Sequence, residues 1–448
     1  MPDFKPDFRA IPSVDRLLRT PPLCDFPAAL ALEAAREVTA RARQRLEERG
    51  DAVPSLESLA TEAAGKCRQR LAPSLEPVVN ATGVIIHTNL GRAPIDPELF
   101  DEARAIASGY CDLEYDLRTG RRGERYHHAA AALRRLLGCE EVLVVNNNAA
   151  AVFLVLNTFA KGREAVVSRG ELVEIGGSFR IPEVMAASGA IMKEVGTTNR
   201  THLRDYADAV TDETALLMKV HRSNYRIEGF TAEVPMREIS RLARERGLVD
   251  YYDLGSAHMG DLPWDLERRE LSLPEILERH RPSLVSFSGD KLFGGVQAGI
   301  VAGKKALIDR LKRNQALRML RVDKLTLALI ERTALAYLRG QSDRIPALAL
   351  LRTPMQTLRK RARRLAEAMP MPVTIAEGEG LVGGGTLPGA TVPTVLLRVE
   401  GDAERLAGHF RAHRVIGRVE ADTFVLDMRT LFERDIPLVA GAAAAWTA

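Results

Sequence analysis

The chain has 448 residues, 46% of them hydrophobic and 27% charged, with a net charge of +4. That length is too great for one core, so two or three domains are expected, and the balance is that of a globular chain rather than a disordered one. No apolar run nears the roughly 20 residues of a membrane-spanning helix, and so small a net charge leaves any nucleic-acid contact to a local patch.

The start, Met1 to Arg16, is studded with Asp, Lys, Arg and Pro and has no apolar core, so a secretory signal is not expected. Cys24, Cys67, Cys111 and Cys139 lie far apart, with no C-x-x-C pair. This argues against a zinc site or a disulfide framework and fits a reducing cytoplasm. The run Phe26–Arg49 is rich in Ala, Leu, Glu and Arg and predicts a helix ending at Gly50. A second helix, about Ser55–Leu71, follows Pro54. Arg41, Arg45 and Arg49 are spaced i, i+4, i+8 and share a face. With Glu37, Glu47 and Glu48 nearby, that face by itself reads as solvated. Residues 1–76 are thus expected to form an N-terminal helical domain.

From about Val78 to Gly303, short apolar runs alternate with helical stretches. The expected strands are Val142–Val145, Ala165–Ser168, Ile191–Val195, Ala215–Val220, Leu248–Asp253, Ser283–Phe287 and Gly299–Val301. They show little polar alternation, as strands covered on both faces do. Spacers long enough for crossover helices predict an α/β domain with a mostly parallel sheet. A long amphipathic helical stretch, about Lys305–Arg339, closes this large domain, 77–339. The remainder, 340–448, reads as a smaller α+β domain: a helix, a Gly-rich loop, the strand Thr394–Val399, the helix Ala403–His413, then strands near Val415–Val419 and Thr423–Met428. Gly378-Glu-Gly380-Leu-Val-Gly383 matches the G-x-G-x-x-G dinucleotide pattern. That pattern needs a helix starting in the loop. Gly384, Gly385 and Pro388 follow, so no nicotinamide site is expected.

The most informative stretch is Ser286-Phe-Ser288-Gly-Asp290-Lys291-Leu-Phe-Gly294-Gly295. An apolar strand ends in hydroxyl residues and presents a lysine beside an aspartate. A Schiff-base lysine must be neutral when it attacks an aldehyde, and burial lowers its pKa. Ser288 can bind a cofactor phosphate. Upstream, Asp253 ends a buried strand, where a carboxylate needs a partner. Paired with a pyridine nitrogen, it keeps that nitrogen protonated and the ring an electron sink. Further upstream, Asn146-Asn147-Asn148-Ala149 follows a strand and opens a helix, a turn whose free N–H groups can hold a phosphate. For Asn148 a plain helix cap is the competing reading. Together these residues point to pyridoxal 5'-phosphate, carried by Lys291.

The chain resembles the bacterial L-seryl-tRNA(Sec) selenium transferases, the selenocysteine synthases, over nearly its whole length. The resemblance rests on Asn80–Ala93, Asn146–Val152, Ser168–Gly177, Glu194–Arg200, Lys219–Tyr225 and Ser286–Gly299. It implies the fold-type-I pyridoxal-phosphate transferase fold, a homo-oligomer built as a decamer of five dimers, and a cytoplasmic enzyme of selenocysteine biosynthesis. It assigns the Schiff base to Lys291, with Asp290 beside it, and selenophosphate binding to Arg92, Arg125, Arg318 and Arg321. It gives the N-terminal helical domain to the tRNA, which makes Arg41, Arg45 and Arg49 phosphate contacts. The implied reaction eliminates water from L-seryl-tRNA(Sec) to a dehydroalanyl-tRNA and adds selenium from selenophosphate. Arginines suit that donor because a guanidinium offers a permanently charged, bidentate fork.

Two places depart from the family strings: Ala257-His258 where a small pair such as Gly-Ser is usual, and Val296 where Pro is usual. Two other readings stay open at this level. One is a related enzyme performing β-elimination on a small phosphorylated substrate, which would not need residues 1–76. The other is an idle RNA-binding scaffold, which would not need the lysine, aspartate and arginine set.

Overall fold

A computed structural model describes residues 7–49, 52–175, 179–260, 262–266 and 271–447. Gly50, expected to end the first long helix, and Gly176 and Gly177 of the Ser168–Gly177 string lie outside the described residues, as does the start before residue 7. The chain forms two compact units, Met1–Pro77 and Val78–Ala448.

The first unit is helical: Val14–Leu18, Ala28–Arg49 and Leu56–Leu71. The Ser55 side chain accepts from Ser58 N–H and starts the third helix. The core between the two long helices is rich in small residues, Ala31, Ala34, Ala35 and Val38 against Ala60, Ala63 and Cys67, with Leu59 buried among them. Glu37 of the first long helix holds the second by accepting from Lys66 and from Arg70 at 2.8 Å.

The second unit is organised around a seven-stranded sheet. Its strands, in chain order, are β1 Glu141–Val145, β2 Glu164–Ser168, β3 Ile191–Val195, β4 Thr214–Val220, β5 Val249–Gly255, β6 Leu284–Ser288 and β7 Gly299–Gly303. The spatial order is β1-β7-β6-β5-β4-β2-β3. All neighbours are parallel except β7, which runs antiparallel to both β6 and β1. Strands β1, β4, β6 and β7 are buried along their whole length, which is why their sequences are runs of Val, Ile and Leu.

The expected long helical stretch at 305–339 is three helices instead: Lys305–Arg313, Leu317–Leu320 and Lys324–Leu338. Two side chains interrupt it. Asn314 donates to Asn157 and Thr158 and accepts from Ala316 N–H. Asp323 caps the third helix by accepting from Leu325 and Thr326 N–H. Between them Arg321 is extended and bridges to Val145.

A five-stranded sheet joins both ends of this unit, in the order 418–420, 423–427, 391–399, 373–383, 84–86. Leu381 and Gly383 pair in parallel with Val84 and Ile86, so a strand preceding the large sheet completes the sheet of the C-terminal segment. The stretch bearing the G-x-G-x-x-G look-alike is an eleven-residue strand, Val373–Gly383, not a helix start. Among the described residues, no helix is long and apolar enough to cross a membrane.

Candidate active site

The carboxyl ends of the parallel strands gather the chemistry, as open α/β sheets require. The helix Asn148–Phe159 starts directly after β1, and Asn147 is its cap, accepting from Ala150 N–H at 2.8 Å. The cap role considered for Asn148 therefore falls to Asn147, and Asn148 is free to point elsewhere. Its amide donates to Asp253 Oδ1 at 2.8 Å, across 105 residues of sequence. Gly255 N–H donates to the same oxygen at 3.1 Å. Asp253 is buried, and that burial pushes its carboxyl up, opposed by these donors and by the charge of Lys291. A positively charged ring nitrogen is the kind of partner that would offset the cost of burying such a carboxylate.

Lys291 follows the buried Ser288 at the end of β6. It is 5% exposed. Burial pushes its ammonium down to about 8, with the Arg92 charge adding and Asp253 and Asp290 opposing. Its Nζ donates to the Gly385 carbonyl at 3.2 Å. Gly299 of β7 has no side chain for a close reason: a Cβ there would strike the Asn147 backbone. Ala149, in the first turn of the helix, adds an N–H beside those of Asn147 and Asn148.

Asp290 is buried and takes Arg92 Nη1 at 3.0 Å. Arg92 has a φ of 62°, a left-handed conformation that costs a non-glycine residue about 1–3 kcal/mol and persists where the surroundings fix it. Arg92 and Asp290 line one cavity with Thr88 and Gln297. Arg125, Arg318 and Arg321 line a different one, of about 360 Å³, together with Arg122, Lys312 and Arg313, against the carboxylates of Glu114 and Glu124. Arg125 Nη1 is buried there with no hydrogen-bond partner among the described residues. The structure thus brings three of the four expected donor-binding arginines together and sets Arg92 with Asp290.

In the N-terminal unit, Arg41 is engaged: it donates to Glu62 at 3.1 Å and to Glu37 at 3.3 Å, tying the two long helices. Arg45 is exposed on the same helix. Arg49 is its last residue, and its side chain lies outside the described set.

Sequence reasoning missed four features of the site. The Gly385 carbonyl is one. Ser223 and Ser256 are two more: both hydroxyls are buried without a hydrogen-bond partner among the described residues, and Ser223 Oγ would sit 3.4 Å from a Cβ on Gly255. The fourth is the buried ion pair of Lys219 with Glu171, 2.9 Å, where Glu171 also accepts from Val220 N–H. It fixes the end of β4 beside Asp253. Lys219 and Glu171 both lie in strings that carry the family resemblance, the available signal for them.

The fold and the site together define a fold-type-I pyridoxal-phosphate-dependent enzyme. The residues present fit that cofactor: a buried lysine of lowered pKa, a buried carboxylate, and three buried polar atoms, Asn148 Oδ1, Ser223 Oγ and Ser256 Oγ, that lack partners among the described residues. The family profile of the L-seryl-tRNA selenium transferases matches residues 78–432. The L-seryl-tRNA(Sec) selenium transferase of Nautilia profundicola is 50% identical over 434 residues, covering 97% of this chain and 96% of its own. That of Sulfurimonas denitrificans is 47% identical over 437 residues, covering 96% and 97%. The chain belongs to the L-seryl-tRNA selenium transferase family. A solved D-glucosaminate-6-phosphate ammonia-lyase shares the fold at 17% identity, with a TM-score of 0.60 over 84% of this chain and 96% of its own.

Proposed function

We propose that this chain converts L-seryl-tRNA(Sec) to L-selenocysteinyl-tRNA(Sec) with selenophosphate, using pyridoxal phosphate held on Lys291. The observation that carries the reading is Lys291 itself, a buried lysine with its pKa lowered to about 8, close enough to Asp253 and Asp290 to feel both charges. Family membership supplies the substrate class.

When bound, pyridoxal phosphate supplies an aldehyde that takes an amine and a ring that withdraws electrons from it. Lys291 would serve twice: its neutral amine would hold the cofactor's aldehyde, and, when free, Nζ would take the substrate's α-proton as general base. Asp253, oriented by the Asn148 amide, would hold a protonated ring nitrogen. Asn147, Asn148 and Ala149 at the helix start, with Ser288, would receive the phosphate. Arg125, Arg318 and Arg321 hold the selenophosphate anion. Arg92, in the separate cavity it shares with Asp290, neutralises that carboxylate and is the fourth arginine assigned to the anionic donor. Residues 1–76 form the tRNA-binding domain, with Arg41, Arg45 and Arg49 on its contact face; residues 77–339 carry the catalysis and 340–448 form the smaller domain. The enzyme works in the cytoplasm as a decamer of five dimers. The four free cysteines fit a reducing compartment.

The test is conversion of seryl-tRNA(Sec) by the purified protein given selenophosphate, read by mass spectrometry of the released aminoacyl-adenosine. A yellow, borohydride-bleachable protein that leaves seryl-tRNA(Sec) unchanged would overturn the substrate assignment.

A further inference from the structure

The connection between the strands Val373–Gly383 and Thr391–Val399 is the glycine-rich segment that the dinucleotide pattern drew attention to. It is held at both ends. Gly383 pairs with Ile86. Beyond the other end, Thr394 donates to the buried Asp427, and Pro393 accepts from the fully buried Arg429. Inside it, Thr386 Oγ1 donates to the Gly383 carbonyl at 3.0 Å and Ala390 N–H to the Leu387 carbonyl at 3.0 Å. Thr386, Leu387 and Ala390 are all buried. A short, doubly anchored and internally bonded loop holds its backbone groups in place.

At its centre Gly385 has a φ of +73°, and a Cβ added there would lie 2.8 Å from Lys291 Nζ. Its carbonyl is the acceptor for that same nitrogen, at 3.2 Å. Glycine at 385 therefore satisfies two demands, the left-handed backbone and the room for the lysine.

We propose that the Gly385 carbonyl is the positioning group for the unattached Lys291 amine. The inference rests on the reading of Lys291 as the cofactor's lysine. An amine on four flexible carbons has many rotamers; one N–H anchored on a fixed carbonyl removes most of them and leaves the lone pair for the cleft. In the general-base step that lone pair forms the new N–H bond as the substrate's α-C–H bond breaks, its electron pair passing to the substrate side. The resulting ammonium keeps one N–H on Gly385 and gives the acquired proton to the departing β-hydroxyl, which leaves as water. The carbonyl accepts from amine and ammonium alike, so it holds Nζ through both states.

The experiment uses the full chain stripped of cofactor, and follows colour on adding pyridoxal phosphate across a pH series. Gly385→Ala should capture the cofactor roughly 10–100-fold more slowly, the scale of a misplaced reacting group, with a shifted pH midpoint. Gly340→Ala is the control: φ there is +70° and nothing lies within 4 Å of an added Cβ, so it carries the same backbone strain without the lysine, and it should behave as the parent. Thr386→Val opens the turn without adding bulk near Nζ and should slow capture in the same direction, less strongly; it also keeps the test alive if Gly385→Ala does not fold. Equal slowing in Gly385→Ala and Gly340→Ala, or unchanged rate and midpoint in Thr386→Val and Gly385→Ala, would overturn the proposal. A parent chain that never colours overturns the reading of Lys291 beneath it.

Discussion

The Asn148 amide donates to Asp253 Oδ1 at 2.8 Å, joining the residue that opens the helix after β1 to the carboxylate at the end of β5. Helix start and carboxylate, the two places where opposite ends of a pyridoxal phosphate would be held, are thus fixed to one another by the protein's own hydrogen bond.

Asn148→Ala removes a hydrogen bond to a charged group, worth about 1.5–3 kcal/mol. Cofactor retention should fall about tenfold or more on that scale. Asn148→Asp should be worse at neutral pH, because two carboxylates then share one site, and should partly recover as acid protonates one of them. Absorbance titration with pyridoxal phosphate measures both. Parent-like affinity in Asn148→Asp at neutral pH would show that Asn148 does not face the charged form of Asp253. Asp253→Ala should keep some cofactor yet lose turnover.

The lowered pKa of Lys291 makes a prediction with a definite sign. Only the neutral amine captures an aldehyde. With a folded-state pKa of about 8 against 10.5, roughly a tenth of the amines are neutral at pH 7, compared with about one in 3,000 at the ordinary value. The capture rate should rise with pH through about 8 and then level. Because the folded value is the depressed one, the burial penalty applies below pH 8, and stability rises between about 8 and 10.5 as only the unfolded chain stays protonated. Lys291→Ala should abolish the colour and flatten that rise. A rate still climbing steeply at pH 10 would place the reactive amine elsewhere.

Arg92 and Asp290 should differ in how they fail. Arg92→Ala leaves a buried carboxylate without its partner, at a cost of about 1–3 kcal/mol. Asp290→Asn leaves an exposed-edge arginine that water can serve, and should cost less. Denaturant titration of both variants and of the double variant gives the coupling. Equal losses in the two single variants with no coupling would mean that the pair carries little of the stability.

The large sheet was almost wholly legible, each strand bounded within a residue or two of its place, because β1, β4, β6 and β7 are buried along their whole length and read as largely apolar runs; the edge strand β3, with Lys193 and Glu194 partly exposed, stood out only by its β-branched ends. The strand Val373–Gly383 was hidden because Gly378 and Gly380 weaken any strand signal; only its neighbours at Val84–Ile86 and Thr391–Val399 explain it. The break at Asn314 and Asp323 was hidden for a different reason, since helical periodicity runs on through residues whose side chains bond elsewhere. Lys291, Asp253 and Asn148 announced themselves by chemistry at strand ends. Gly385 could not, because its contribution is a backbone carbonyl delivered from 94 residues away.

In the N-terminal unit, Arg45→Ala should weaken tRNA(Sec) binding and lower the salt slope by about 1, as loss of one phosphate contact does. Arg41→Ala should also loosen the unit, since Arg41 ties Glu37 to Glu62. Deleting residues 1–76 should leave a coloured protein that no longer holds tRNA(Sec) at physiological salt. Filter binding across a salt series and the visible spectrum decide it. Tight binding by the truncated chain would remove the tRNA role from this unit.

The last prediction separates the two halves of the reaction. Arg318 is exposed in the basic cavity with Arg125 and Arg321, whose lining includes neither Lys291 nor Asp253. Loss of water needs only the second set; selenium delivery needs the first. Arg318→Ala should therefore still release the β-hydroxyl of seryl-tRNA(Sec), giving a product that an added thiol traps, while selenocysteinyl-tRNA falls sharply. A charged phosphate contact is worth about 1.5–3 kcal/mol, so apparent affinity for selenophosphate should drop about tenfold or more. Arg318→Lys should restore only part of it, because an ammonium cannot offer two parallel donors to one phosphate. Should Arg318→Ala abolish thiol trapping and leave donor affinity unchanged, Arg318 serves the tRNA or the fold, and the donor site lies outside the cavity that Arg125, Arg318 and Arg321 share.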